Sequence, residues 1–153
     1  MDADCLIKLT KAGLKEHICQ HYKIVIPRIV KREVVDAGKT KGYPDASLVE
    51  KNIQNNCLRV SEEKSLSHLK GDQALLEIFK LGHYDAIATD DAKLIRFLRS
   101  TDIPFILPGI FIYFLYQRKI IDHGTALYWL KELSKFVSED EYSMIKLLLE
   151  EKL

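Results

Sequence analysis

Ala86-Ile87-Ala88-Thr89-Asp90-Asp91, followed at once by Ala92-Lys93-Leu94-Ile95, is the stretch on which the reading of this chain turns. Three apolar residues make a short buried strand, and Leu94, Ile95 and Leu98 then recur at helical spacing across residues 90–100. A strand that hands over to a helix through Thr-Asp-Asp puts carboxylates at the carboxyl end of that strand. Open parallel sheets bind their ligands there.

The same alternation extends in both directions. Downstream, residues 103–107 read as a strand, and helices follow at about 109–117, 125–137 and 139–152, with Ser138 as the cap signal between the last two. Upstream, Leu75, Leu76, Ile78 and Phe79 mark a helix over 71–82. Residues 58–60 form a strand, followed by a polar stretch to His68, and residues 44–55 form a helix. Residues 38–45 hold two glycines and a proline and read as a loop. Before it, residues 23–26 form a strand stopped by Pro27, which opens a helix over 27–37 that ends at Gly38. Residues 4–20 read as one helix. Strands alternating with helices imply a three-layer α/β/α fold around a central parallel sheet, with the last two helices as a C-terminal pair. Residues 1–122 form the domain, and residues 123–153 extend it and pack on it. Because the chain begins Met1-Asp2, its first strand is either very short or begins outside the sequence.

Bulk properties exclude more than they assign. The 153 residues suit one domain with one good core. A net charge of +1 does not announce a nucleic-acid binder, so that inference must rest on where charges stand. Cys5, Cys19 and Cys57 show no CxxC spacing, so the expectation is reduced thiols in a cytoplasmic protein, without a disulfide framework or zinc site. No secretory signal opens the chain, and the apolar run at 103–116 is too short and too broken by Pro104, Pro108 and Gly109 to span a bilayer.

The acids carry the chemistry. Asp2 and Asp4 fall where the first strand meets the first helix, and Asp90 and Asp91 where a later strand does; the two pairs converge if those strands are neighbours. Asp72 opens its helix. Glu33 lies one turn beyond Ile29 and Val30 and shares their inward stripe, where a carboxylate needs a partner such as a divalent cation. Each acid also has an ordinary explanation: Asp90 as a helix cap, Asp72 as a first-turn acid, Glu33 as the partner of Lys31 or Arg32.

Four segments resemble the motifs of PIN domains: Asp2-Ala3-Asp4-Cys5-Leu6-Ile7-Lys8-Leu9, Ile26-Pro27-Arg28-Ile29-Val30-Lys31-Arg32-Glu33-Val34, Gly71-Asp72-Gln73-Ala74 and Ile87-Ala88-Thr89-Asp90-Asp91-Ala92-Lys93. They follow the family's order over residues 1–121. Asp72 stands where glutamate is more usual and reaches one methylene less far. The resemblance implies that Asp2, Glu33, Asp72 and Asp90 bind one or two Mg²⁺ or Mn²⁺ ions and hydrolyse RNA, leaving a 5′-phosphate and a 3′-hydroxyl. Asp4, Thr89 and Asp91 would support those acids, and Arg28, Arg32, Lys93 and Arg96 are candidates to contact phosphates. Small stand-alone members of the family act as toxins silenced by an antitoxin, so an antitoxin is an expected partner beside RNA. The apolar helix at 110–116 implies either a buried helix or an oligomer interface, so a homodimer is also an expected partner.

Two rivals stand against this reading. The fold also serves as a non-catalytic RNA-binding scaffold, so metal binding without cleavage would favour that role. Asp2-Ala3-Asp4 is also the DxD pattern of haloacid-dehalogenase-like phosphatases, which leaves Glu33 and Asp72 without roles. His17, His21, His68, His83 and His123 have no ligand spacing, and Tyr128 and Trp129 read as packing residues.

Overall fold

In a computed structural model, which describes residues 1–61 and 69–151, short parallel strands alternate with helices. The polar stretch expected up to His68 and the Lys152 end expected for the last helix fall outside the described residues. Helices α1 (Ala3–Lys11) and α2 (Lys15–His21) replace the single helix expected over 4–20. The break is at Gly13, whose φ of +76° is costly for any residue with a side chain. Strand β1 (Ile24–Ile26) leads into α3 (Arg28–Lys31), a π-helical turn (Arg32–Asp36) and α4 (Ala37–Thr40). This helical run passes straight through Gly38. That glycine is not a stop: a Cβ there would lie 2.9 Å from the Cβ of Ala46, so it admits the next helix, α5 (Pro44–Gln54), at close range.

Strand β2 (Leu58–Val60) pairs in parallel with β1, as a crossover through helices allows. After α6 (Gly71–Leu81), β3 (Ile87–Ala88), α7 (Ala92–Ser100) and β4 (Phe105–Ile106) repeat the pattern, and β3 pairs in parallel with β4. The described strands thus form two two-stranded sheets where the sequence suggests one continuous sheet. The chain start lies between them. The Met1 backbone nitrogen donates to the Val25 carbonyl at 3.0 Å, and the Asp2 N–H donates to the Ala88 carbonyl at 3.1 Å.

Successive strand side chains face opposite ways, and β3 divides its pair accordingly. Ile87 packs with Leu75, Leu94 and Leu98 of α6 and α7, whereas Ala88 belongs to the larger core that includes α1, α2 and the C-terminal helices. That core is closed by α8 (Ile110–Gln117), α9 (His123–Leu133) and α10 (Glu139–Glu150). Asp122 caps α9 and Ser138 caps α10. Phe111, Ile112 and Leu115 of α8 are buried and its other apolar side chains are at least partly covered, so the apolar helix is spent within one chain. The support it lent to a homodimer falls away. Trp129 is buried against the His17 ring, as a packing residue should be, but Tyr128 is 61% exposed.

Cys19 and Cys57 form a disulfide between the end of α2 and the approach to β2, so the expectation of reduced thiols throughout is corrected; Cys5 is free and buried. Their spacing of 38 residues gave no motif to read. Among the described residues no helix is long and apolar enough to cross a membrane.

Candidate active site

The chain start and β3 are neighbours, and this brings Asp2 and Asp90 to the same place. Asp2 caps α1: its Oδ1 accepts the Cys5 N–H at 2.8 Å. Its Oδ2 accepts a short hydrogen bond from the Thr89 hydroxyl. Thr89 is fully buried, and its Oγ1 also accepts the Asp91 N–H at 3.1 Å, so one hydroxyl ties both acidic segments together. Burial raises the Asp2 pKa and the nearby Asp90 charge adds to the rise, while the Thr89 and Cys5 hydrogen bonds oppose it. Each Asp2 oxygen thus accepts one hydrogen bond and keeps a further lone pair.

Asp91 is the cap of α7, accepting the Leu94 N–H through Oδ1 at 2.6 Å. That frees Asp90 from the capping role. Its side chain is 10% exposed; Oδ2 meets Lys8 Nζ at 2.5 Å, and Oδ1 is buried with no hydrogen-bond partner. Lys8 also meets Asp4 Oδ2 at 2.7 Å, one turn back on α1. Burial works against the Lys8 charge, but the hydrogen bonds to Asp4 and Asp90 raise its pKa above the usual lysine range.

Glu33 and Asp72 form a second pair. A Cβ on Gly71 would lie 3.9 Å from both Glu33 carboxylate oxygens, an ordinary contact distance, so Glu33 lies against the start of α6. Partial burial raises the Glu33 pKa, and the Asp72 charge raises it further. Glu33 is nevertheless exposed, which corrects the inward placement expected from its spacing. It sits in the π turn, where the register of the stripe is broken. Asp72 is exposed as well, and no ion pair to Glu33 from Lys31 or Arg32 is formed.

Two residues near Asp90 were not read as site residues, although one of them lies inside the first motif. Glu141 of α10 is 5% exposed and its Oε1 accepts the Gly109 N–H at 2.8 Å; burial raises its pKa, and the Asp90 charge adds to this. Lys8 is the other. A cavity of about 380 Å³ opens beside Asp90 and Glu141, with Arg96, Arg99 and Ser138 on its walls. Arg96 therefore borders the acids, Lys93 and Arg32 are exposed, and Arg28 is half-buried with its Nε unpartnered. A larger cavity of about 520 Å³ lies toward the amino ends of β1 and β3 and contains none of the four candidate acids.

The donors suit a hard divalent cation, being carboxylate oxygens alone, and the orphaned Asp90 Oδ1 is an atom such a cation would satisfy. The described residues do not, however, bring three or more His, Cys, Asp or Glu side chains into one group placed to hold a metal. The acids stand as two pairs.

The fold is helix-rich α/β with short parallel strands, and Asp90 follows the carboxyl end of β3. A family model described as a PIN domain matches residues 1–151, and the chain belongs to that family. PIN domains are generally nucleases that act on RNA and typically use divalent metals. No curated protein and no solved structure matches the chain.

Proposed function

We propose that this chain is a cytoplasmic, divalent-metal-dependent endoribonuclease whose acids are Asp2, Glu33, Asp72 and Asp90. The observation that carries the reading is the Asp90 carboxylate: it is nine-tenths buried, beside the buried Asp2, and one oxygen is left without a partner. An orphaned buried carboxylate oxygen is costly, and a cation is the ligand that offsets the cost. Asp2 and Asp90, with Glu33 and Asp72, would hold Mg²⁺ or Mn²⁺, which supplies Lewis-acid polarisation and charge neutralisation at a phosphodiester when bound. Thr89 orients Asp2, and Asp91 fixes the start of α7 behind Asp90. Arg96 on the cavity wall, with the exposed Arg32 and Lys93, contacts the RNA backbone, so affinity falls as salt rises. Residues 1–122 are the catalytic domain, and 123–153 an extension that contributes Glu141. A toxin role with a cognate antitoxin is one setting for this activity; RNA maturation is the other.

A second reading has one observation in its favour. Glu33 and Asp72 stand as a separate exposed pair, as a fold kept for RNA binding without cleavage would permit. The experiment that separates the two is a Mg²⁺ and Mn²⁺ titration alongside cleavage of a labelled structured RNA by wild type, Asp90→Asn and Glu33→Gln. Metal-dependent cutting by the wild type, lost in both variants, is the expected result. Metal and RNA binding without cutting assigns the scaffold role, and undiminished cutting by Asp90→Asn removes that residue from the site.

A further inference from the structure

Lys8 is the one basic side chain, among the described residues, that forms an ion pair with Asp90. Its surroundings are strongly negative, since Asp2, Asp4 and Glu141 stand around the same carboxylate or the same ammonium. Its two contacts are unlike. Asp90 is the inner post, with a side chain 10% exposed, and Asp4 is the outer one, 66% exposed. Both are reached from one position on α1 by a flexible four-carbon stem that ends in a compact point charge.

We propose that Lys8 is the resident counter-ion of Asp90 in the metal-free protein, and that a divalent cation and the Lys8 ammonium compete for that carboxylate. The displaced ammonium stays on Asp4. This rests on the reading of Asp90 as a metal ligand. A divalent cation on Asp90 and an ammonium 2.5 Å from the same carboxylate are like charges in a site largely shielded from water, where repulsion is weakly screened. The inner contact therefore breaks on loading, while the outer one, an i,i+4 pair on the surface of α1, requires no backbone movement to persist. In the metal-free state the ammonium does part of the cation's work, because it neutralises one oxygen of a buried carboxylate that would otherwise have none of its charge compensated.

The test is calorimetric titration of Mn²⁺ into metal-free wild type, Lys8→Met, Lys8→Gln, Asp4→Asn, Asp90→Asn and the Asp4→Asn/Lys8→Met double variant, with thermal melts of each before and after loading. Lys8→Met and Lys8→Gln are expected to bind Mn²⁺ about tenfold more tightly than wild type, the equivalent of one partly buried ion pair. Metal-free, they melt below wild type, and Mn²⁺ narrows the gap. Asp4→Asn removes the outer post, so it weakens Mn²⁺ binding severalfold when Lys8 is present and little when it is not. Unchanged or weaker binding by both Lys8 variants overturns the competition. An equal effect of Asp4→Asn in the two backgrounds also overturns it, by reducing Lys8 to a remote charge. If wild type binds and Asp90→Asn does not while the Lys8 variants match wild type, only this proposal falls. If neither wild type nor the Lys8 variants bind, the metal reading falls with it.

Discussion

Replacing Thr89 by valine is the sharpest way to probe how the acids are held. Valine keeps the branched shape and removes the hydroxyl at a position with no solvent exposure. Two hydrogen bonds go with it. Asp2 Oδ2 loses its donor, leaving Asp2 only the Cys5 N–H on Oδ1, and the Asp91 N–H loses its acceptor. A hydrogen bond to a buried charged group is worth about 1.5–3 kcal/mol, whereas the Asp91 amide belongs to an exposed residue that water can serve, so its loss adds about 0.5 kcal/mol. Thr89→Val should therefore lose about 2–3.5 kcal/mol in urea unfolding. Thr89→Ser keeps the hydroxyl and deletes one buried methyl, a cost of about 1 kcal/mol. The hydroxyl lowers the pKa of Asp2, so it stabilises the ionised form. Its contribution is present above that pKa and is lost as pH falls through it. The Thr89→Val deficit should accordingly be largest near neutrality and shrink in acid. Equal losses for valine and serine, or a valine deficit that does not change with pH, would refute the view that this hydroxyl holds the Asp2 carboxylate.

Two further outcomes concern the frame around the site. The Cys19–Cys57 disulfide spans 38 residues, so Cys19→Ser, or reduction of the wild type, should lower stability to guanidinium by about 4 kcal/mol; a change under about 1 kcal/mol would show that the bond does not constrain the unfolded chain. Lys15 is buried with an unpartnered ammonium, and desolvation pushes its pKa down to about 8 against the opposing charges of Glu16 and Asp45. A lysine whose folded pKa is depressed costs stability while it is protonated, and that cost is relieved as pH rises from about 8 toward the unfolded value. Lys15→Met should therefore gain about 1 kcal/mol at pH 7, after allowance for screening, and less at pH 10; a melting temperature below that of wild type at both pH values would show that the stem packing depends on the amine.

Local patterns reached the parts of this molecule that local interactions build. The cap at Ser138, the helix after Asp91, and the strand ahead of Thr89 are all set within a few residues, and composition at those positions is enough to place them. The meeting of Asp2 with the Thr89–Asp90 segment was legible in its outcome though not in its cause: no strand forms ahead of α1, and the chain start instead reaches the carboxyl end of β3 through the Asp2 N–H to Ala88 carbonyl bond. Lys8 against Asp90 and Glu141 against Gly109 are separated by 82 and 32 residues, and no spacing rule connects them. The disulfide is of the same kind.

The misplacement of Glu33 shows where periodicity itself fails. A count of four from Ile29 puts a glutamate on the inward stripe only if every residue advances by the α-helical step. The π turn at Arg32–Asp36 closes its hydrogen bonds over five residues, so each residue there turns less about the axis and the stripe is rephased at Glu33. Val34 and Val35 take the buried positions instead, and Glu33 swings to the Gly71 backbone and the Asp72 carboxylate. Such a turn gives up regular hydrogen bonding, and what it gains here is an acid delivered to the start of α6 rather than to the core. The helix is irregular at the one residue that the proposed chemistry needs on its surface. Glu33 and Asp72 thus stand exposed at the start of α6, whereas Asp2 and Asp90, the latter with Lys8, keep their charge away from water.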